Sequence, residues 1–191
     1  TDCISYQKSG YFSPLMNDYL EQKSNLQSLY NRFPSLENFE AQIIEKEINF
    51  NGNDNINGNA KRKVLVSVLE NQYAKINASE TTINNIKLLN NSNTFTITTG
   101  HQLNLFSGPL YFLYKIAHTI ALCNQLNAQH LHAYNFVPVF YMGSEDADLE
   151  ELNNITIEGK KYTWQTKQTG AVGRMKVDKA LLELIDEMAL Q

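Results

Sequence analysis

TFTITTGHQLNLFSGPLYFLYK, residues 94–115, predicts three successive elements of local structure. Residues 94–99 are all β-branched or aromatic, which favours an extended strand. A polar loop with two glycines follows, and Gly108 and Pro109 are suited to the start of an apolar helix. Such a helix directs its free N–H groups and the positive end of its dipole at the loop, where anions bind.

The composition is typical of a globular protein of one domain or two small ones. The chain has 191 residues, of which 42% are hydrophobic and 19% are charged. A formal net charge of −4 argues against a broad nucleic-acid interface and gives no reason to expect a membrane partner. No apolar run reaches the roughly 18 residues of a membrane span, and no signal-peptide pattern opens the sequence, so a cytoplasmic protein is the simplest interpretation.

Helical patterns precede the central stretch, and a second strand follows it. Apolar spacing predicts a helical lead-in over residues 14–90, interrupted by an Asn- and Gly-rich surface loop at 49–59. Residues 136–142, FVPVFYM, predict a buried strand, so that residues 94–142 form a right-handed parallel βαβ unit. Pro138 is unfavourable there, because proline lacks the N–H that a sheet ladder uses.

The remainder of the sequence adds no third parallel strand. Residues 155–175 predict a hairpin and a loop, and Asp178 is suited to cap a final helix. Two parallel strands are too few for a doubly wound sheet, and the helix between them is apolar enough to be covered by two layers. We therefore expect residues 1–191 to be the N-terminal portion of a Rossmann-like α/β core, unless a partner completes the sheet. Made alone, this portion is expected to expose apolar surface and self-associate.

The loop after the first strand carries polar side chains but neither of the common nucleotide motifs. It lacks the Gly-Lys-Ser/Thr of a P-loop and the GxGxxG of a dinucleotide site. It offers His101, Gln102, Asn104 and Ser107 at the carboxyl end of a strand, where α/β proteins bind ligands. The alternative is a turn whose polar side chains only satisfy backbone groups.

Carboxylates follow the second strand at Glu145, Asp146, Asp148, Glu150 and Glu151. They could hold a substrate amine, accept a proton or bind Mg²⁺ through water, or they could be the solvated start of a helix. We expect Asp146 or Asp148 to take part and Glu150 and Glu151 not to. The reason is that one helical turn moves a side chain about 5 Å along the axis, away from the sheet edge.

One arginine and the histidines complete the candidate groups. Arg174 follows two glycines in a loop and could bind a carboxylate or phosphate bidentately, although a lone loop arginine is usually a surface charge. Metal ligation is not predicted, because His118 lies within the apolar helix and His130 and His132 lack companion ligands.

Three stretches together resemble the bacillithiol cysteine ligases: TGHQLNLFSGPLYFLYKI, VPVFYMGSEDADLEELN and TGAVGRM. The resemblance covers roughly residues 60–175, and long ordered motifs are more specific than any short pattern. It implies a Rossmann-like core similar to class I aminoacyl-tRNA synthetases and nucleotidyltransferases, and a C-terminal coiled coil that forms a homodimer. It also implies a ligase that joins L-cysteine to glucosaminyl malate in the last step of bacillithiol biosynthesis.

The resemblance assigns roles to particular residues. Those expected to be catalytic are His101, Asn104, Asp146 and Asp148, the first two occupying the place of the His-containing signature loop of synthetase-like enzymes. Of those expected to bind substrate or nucleotide, Glu145 and Arg174 follow from the resemblance, whereas Gly100, Gln102, Ser107 and Gly108 follow from their place in the loop before the apolar helix. Ala147 stands where the acidic motif of the family usually has histidine, which favours a protein with altered or lost activity as one alternative.

The sequence does not identify the cofactor. Amide formation needs an activated carboxylate, so ATP is a chemically suitable candidate. Besides the cysteine ligase, two functions stay open: a nucleotidyltransferase-like enzyme acting on another small acid, and a non-catalytic ligand-binding or assembly domain of the same fold.

The loop predicts that an anion binds near His101, Gln102 and Ser107, since these groups adjoin a helix N-terminus. We expect the full-length protein to bind citrate or ATP and the His101→Ala variant to bind it more weakly, as measured by isothermal titration calorimetry. Equal affinity in the two proteins would contradict the role of His101.

Overall fold

The computed structural model describes residues 3–51, 55–129 and 133–189. The chain divides into two compact units, Thr1–Gly58 and Asn59–Gln191. The helices are α1 (Tyr6–Ser9), α2 (Pro14–Leu20), α3 (Phe39–Asn51), α4 (Asn55–Tyr73), α5 (Glu80–Leu88), α6 (Leu110–Gln129), α7 (Leu149–Leu152) and α8 (Lys179–Ala189). The strands are β1 (Thr94–Gln102), β2 (Asn135–Gly143), β3 (Asn154–Ile157) and β4 (Lys160–Thr163).

The surface loop predicted at residues 49–59 is wrong over most of its length. Helix α3 continues to Asn51, and α4 already begins at Asn55. Asn and Gly each cost up to about 1 kcal/mol in a helix interior, but an adjoining helix extends cheaply once it is nucleated. Residues 52–54 of the predicted loop lie outside the described residues.

The second unit is built on a parallel pair of strands. β1 and β2 run side by side with Thr94 opposite Asn135 and Gln102 opposite Gly143, and α6 connects them. One side of α6 lies on the sheet, where the rings of Phe112 and Phe140 meet edge to face at 5.2 Å. The predicted order of strand, helix and parallel strand is confirmed, and the fold is of the α/β, Rossmann-like class.

Asn127 explains why β2 accommodates Pro138. The Asn127 side chain donates to Phe136 O at 2.9 Å and accepts from Phe136 N at 2.8 Å. Both backbone groups of Phe136 therefore point away from β1, and those of Pro138, two residues on, point the same way. The missing N–H of Pro138 thus costs the β1–β2 ladder no hydrogen bond.

Helices α4 and α5 contact the sheet on the face opposite α6. Val137 packs against α4 and α5, and Phe140 packs against α6. These two residues are three positions apart in β2, so their side chains point to opposite faces of the sheet. A buried apolar cluster there comprises Val66, Ile86, Leu89 and Val137. Arg62 of α4 donates to Leu89 O at 3.1 Å and to Ser92 O at 3.4 Å. Its guanidinium therefore satisfies backbone carbonyls at the C-terminal end of α5, which otherwise lack intrahelical partners.

The predicted cover of α6 by two layers is not found among the described residues. Leu113, Tyr114 and Ile120 are 47%, 67% and 44% exposed on the outer side of the helix. On the inner side, Cys123 is 1% exposed, and burial raises the pKa of its thiol to about 11. The apolar pattern correctly indicated a helix, but it did not indicate which side the sheet would cover.

The C-terminal segment forms a hairpin on which α8 packs. β3 and β4 pair antiparallel, and the buried cluster behind them comprises Tyr162, Trp164, Leu181 and Leu184. Asp178 Oδ1 accepts from Leu181 N at 3.0 Å and from Trp164 Nε1 at 2.8 Å. Asp178 is therefore the predicted cap of α8, and it also ties that helix to the hairpin.

We predict that Asp178 gives this segment an acid-sensitive contribution to stability. Hydrogen bonds, first from the Trp164 indole and then from Leu181 N, hold the pKa of Asp178 below its ordinary value of 3.8. A lowered folded-state pKa contributes stability above the unfolded pKa, and this contribution is lost as pH falls through the folded value. Wild type should thus lose stability more steeply than Asp178→Asn below about pH 4, measured by urea unfolding followed through Trp164 fluorescence.

The control for this measurement is Asp186→Asn, at an exposed position on the same helix. It should keep the wild-type pH profile. An unchanged profile in Asp178→Asn would contradict the assignment.

Candidate functional site

The candidate site lies where β1 and β2 end. Because Gln102 is opposite Gly143, the loop after β1 and the acidic loop after β2 start side by side. Gln102 Nε2 donates to Glu151 Oε2 at 3.0 Å and so joins the two loops. The Gln102 amide also helps to lower the pKa of Asp146, after the larger effect of the Asp148 N–H. An amide therefore lies among two carboxylates at the edge of the sheet.

The acidic loop is ordered by its own backbone. Asp146 Oδ1 accepts from Asp148 N at 2.9 Å, and this bond forms a turn directly before α7. The side chain of Asp148 is exposed. The expectation that Glu151 lies away from the site is wrong, because α7 ends at Leu152 after a single turn, and Glu151 reaches Gln102 within that turn.

The loop that carries Arg174 is joined to the acidic loop by backbone hydrogen bonds. Val172 N donates to Asp146 O and Gly173 N donates to Ser144 O, both at 2.9 Å. A Cβ at Gly173 would lie 2.5 Å from Ser144 Cβ and 2.8 Å from Ser144 O. Only glycine allows this approach, which leaves the exposed Arg174 directly beside the acidic loop.

His101 is held by polar groups on both ring nitrogens. Its Nδ1 lies 2.7 Å from Asn104 Nδ2, and its Nε2 lies 2.6 Å from the hydroxyl of Tyr111. The ring also meets Phe112 edge to face, with centroids 5.7 Å apart. Gly108 has φ 63°, and a Cβ there would lie 2.7 Å from Asn104 Cβ. The sequence-predicted pair His101 and Asn104 is thus brought together, with Gly108 packed against it.

Glu145 lies apart from His101. Tyr141 donates to Glu145 Oε1 at 2.8 Å, and this bond raises the pKa of the tyrosine. Tyr141 follows Phe140 directly in β2, and successive side chains of a strand point to opposite faces. Because Phe140 contacts α6, Tyr141 points away from α6, whereas His101 contacts that helix. The structure therefore separates Glu145 and His101 onto different faces of the sheet. The side chain of Ser107 lies outside the described part of the structure.

Two polar groups on α6 were not among the residues that the sequence pattern predicted for the site. Tyr111 contacts His101, and Lys115 Nζ donates to the carbonyl oxygen of Gly100 near the end of β1. Lys115 is half-buried and brings a positive charge to the sheet edge. Both residues belong to a helix whose apolar pattern suggested only a packing role. The signal that could have found them is that each carries a polar tip on an amphipathic side chain.

A cleft of about 490 Å³ opens beside the acidic loop, and Ala147 lies in its wall. Other lining residues are Asp148, Glu150, Trp164, Gln168 and Met175. Among residues 3–51, 55–129 and 133–189, no three or more His, Cys, Asp or Glu side chains are grouped to hold a metal ion. His130 and His132 lie outside those ranges. No helix of the described chain is both long and apolar enough to cross a membrane.

Comparison with known proteins identifies relatives along the whole chain. The family model for the bacillithiol biosynthesis BshC N-terminal Rossmann-like domain matches residues 1–191. The protein named "Putative cysteine ligase BshC" of Flavobacterium psychrophilum is 58% identical over 92% of this chain and 32% of its own length. The protein of the same name in Flavobacterium johnsoniae is 54% identical over 100% of this chain and 34% of its own length.

More distant relatives carry the same name. The Bacillus thuringiensis protein is 29% identical over 78% of this chain and 26% of its own length. The chain therefore spans about a third of the length of these two Flavobacterium relatives.

We predict that Gly173→Ala separates the Arg174 loop from the acidic loop. The added methyl group would overlap Ser144, so the chain should lose about 1–3 kcal/mol of stability and the two backbone hydrogen bonds. The matched control is Gly143→Ala, whose Cβ would lie 3.6 Å from the nearest atom, an ordinary contact. Thermal unfolding and hydrogen exchange of the backbone amides of residues 172 and 173 test this. Equal behaviour of the two variants would contradict the close approach.

Proposed function

The chain belongs to the BshC family as its N-terminal Rossmann-like domain, and we propose that it forms the substrate-binding edge of a ligase that joins L-cysteine to glucosaminyl malate. The names of the relatives support the reaction class, and the description of the family supports a role in bacillithiol biosynthesis. The proposal concerns the full-length protein, since the chain covers about a third of those relatives.

The observation that carries the proposal is the convergence of three loops at one edge of the sheet. Gln102, where the loop after β1 begins, contacts Glu151 of the acidic segment after β2. The backbone N–H groups of Val172 and Gly173 join the Arg174 loop to the same acidic loop. Substrates that carry both an amine and carboxylates need donors and acceptors side by side. This edge offers both kinds of group within directly bonded segments.

The reaction joins the carboxyl group of cysteine to the amine of the glucosamine ring and releases the elements of water. We assign anion binding to His101, Gln102 and the N-terminal end of α6, with the Lys115 ammonium as an additional positive charge. Asp146 and Asp148 orient the substrate amine, and the Asp146 carboxylate suits this role because its pKa is lowered. Arg174 pairs with a carboxylate of the malate group.

A free carboxylate does not form an amide unaided, so the reaction must be coupled to an activating step. ATP is the candidate for this step. Near the start of α6, the Lys115 ammonium fits its phosphates by charge, and the His101 ring lies beside the same end of the helix. ATP bound there would activate the carboxyl group of cysteine, and the elements of water removed in amide formation would end in the hydrolysis products of ATP.

The full-length protein is further expected to form a homodimer through a C-terminal coiled coil and to act in the cytoplasm, without nucleic-acid or membrane partners. Sedimentation of the full-length protein measures the oligomeric state.

We predict that removing the charge of Asp146 or Asp148 slows ligation. In a strain deleted for the full-length gene, bacillithiol should disappear and glucosaminyl malate should accumulate. Complementation with full-length Asp146→Asn or Asp148→Asn should give extracts that form bacillithiol about 10- to 100-fold more slowly than wild type, as expected from loss of a charged hydrogen bond.

Glu150→Gln is the matched control, because Glu150 belongs to the same acidic run and is exposed. It should restore the wild-type rate. Normal rates in both aspartate variants would mean that the acidic loop is only a solvated turn. Unchanged thiols in the deletion strain would instead support the alternative of a non-catalytic domain.

A further inference from the structure

Asn104 determines which nitrogen of His101 carries a proton. The Asn104 side chain lies 3.2 Å from Gln102 O, and a carbonyl oxygen only accepts, so the amide nitrogen is the atom that faces it. The same nitrogen lies 2.7 Å from His101 Nδ1. Because an amide nitrogen only donates, Nδ1 accepts this hydrogen bond and carries no proton.

The proton of the neutral imidazole is therefore on Nε2. His101 Nδ1 also lies 3.3 Å from Gln102 O. A proton on Nδ1 would nevertheless be brought against the nearer Asn104 amide nitrogen, which is itself a donor. With the proton on Nε2, the 2.6 Å contact to Tyr111 runs from the imidazole to the phenolic oxygen. The hydroxyl proton of Tyr111 is then free to be donated to another group.

Tyr111 is placed to offer this proton to a ligand. It lies in the first turn of α6, is 54% exposed, and stacks at a tilt on the His101 ring with centroids 5.3 Å apart. His101 is held in turn by the edge of Phe112. The N-terminal end of a long helix favours negative charge, so the acceptor best suited to this donor is an anionic oxygen.

We propose that Tyr111 donates a hydrogen bond to a carboxylate or phosphate oxygen of the bound substrate, and that Asn104 and His101 are positioning residues that keep the tyrosine proton available. This inference rests on the proposed ligase function. It adds a residue that none of the sequence motifs assigned. It also changes the role of His101 and Asn104 from direct contact with substrate to orientation of Tyr111.

Calorimetric titration of the full-length protein tests the contact. One series uses glucosaminyl malate, which offers carboxylates, and the other uses ATP, which offers phosphates. Tyr111→Phe removes only the hydroxyl group and should weaken one of the two ligands about 10- to 100-fold. Tyr114→Phe, at an exposed position on the same helix, should bind both ligands as wild type does.

The ligand that is weakened identifies the anion that Tyr111 contacts. Wild-type affinity of Tyr111→Phe for both ligands would overturn the proposal. If ligand binding depends on Tyr111 but the protein has no ligase activity, the result would support the contact between Tyr111 and the ligand and would contradict only the ligase function. A wild-type protein that binds neither ligand would overturn both.

Nitrogen NMR of histidine-labelled full-length protein tests the positioning roles without any ligand. The wild-type His101 should carry its proton on Nε2, and a proton on Nδ1 would overturn the assignment. Asn104→Asp replaces the donor by an acceptor, so the proton should move to Nδ1 and Nε2 should take up the Tyr111 hydroxyl. Its affinity should fall as in Tyr111→Phe, and the double variant should lose no more than either single one.

Discussion

The parallel register of β1 and β2 is the constraint on which the rest of the candidate site depends. With Gln102 opposite Gly143, both strands end together and their loops leave the sheet side by side. Side chains alternate between the faces of a strand, so a shift by one residue would move His101 away from α6. The contacts of His101 with Tyr111 and Phe112 would then be lost.

Close backbone approach is the second requirement of the site. A Cβ at Gly100 would lie 2.8 Å from Tyr141 O, and one at Gly108 or Gly173 would overlap Asn104 or Ser144. These glycines therefore have a packing role at the places where loops and strands meet. This packing alone explains why glycine is found at these three positions. The ligand-binding roles of Gly100 and Gly108 are separate proposals.

The polar groups of the site form hydrogen bonds with one another, in addition to their proposed contacts with a ligand. The Asp148 N–H and the Gln102 amide keep Asp146 ionised by lowering its pKa, and Asn104 determines the direction of the hydrogen bonds of His101. A carboxylate or imidazole that is already hydrogen-bonded in the free protein needs little reorganisation when substrate arrives. This preorganisation links the local turns to the proposed chemistry.

The sequence by itself determined the elements whose signals are local. The β-branched run of β1, the apolar run of β2 and the cap of α8 at Asp178 depend on residues close together in the chain, so propensity and spacing predicted them. Only the tertiary structure decided which side of α6 is buried, that Glu151 reaches Gln102, and that Tyr111 contacts His101. These contacts depend on strand register and on the close approach of separate loops, which no short window of sequence encodes.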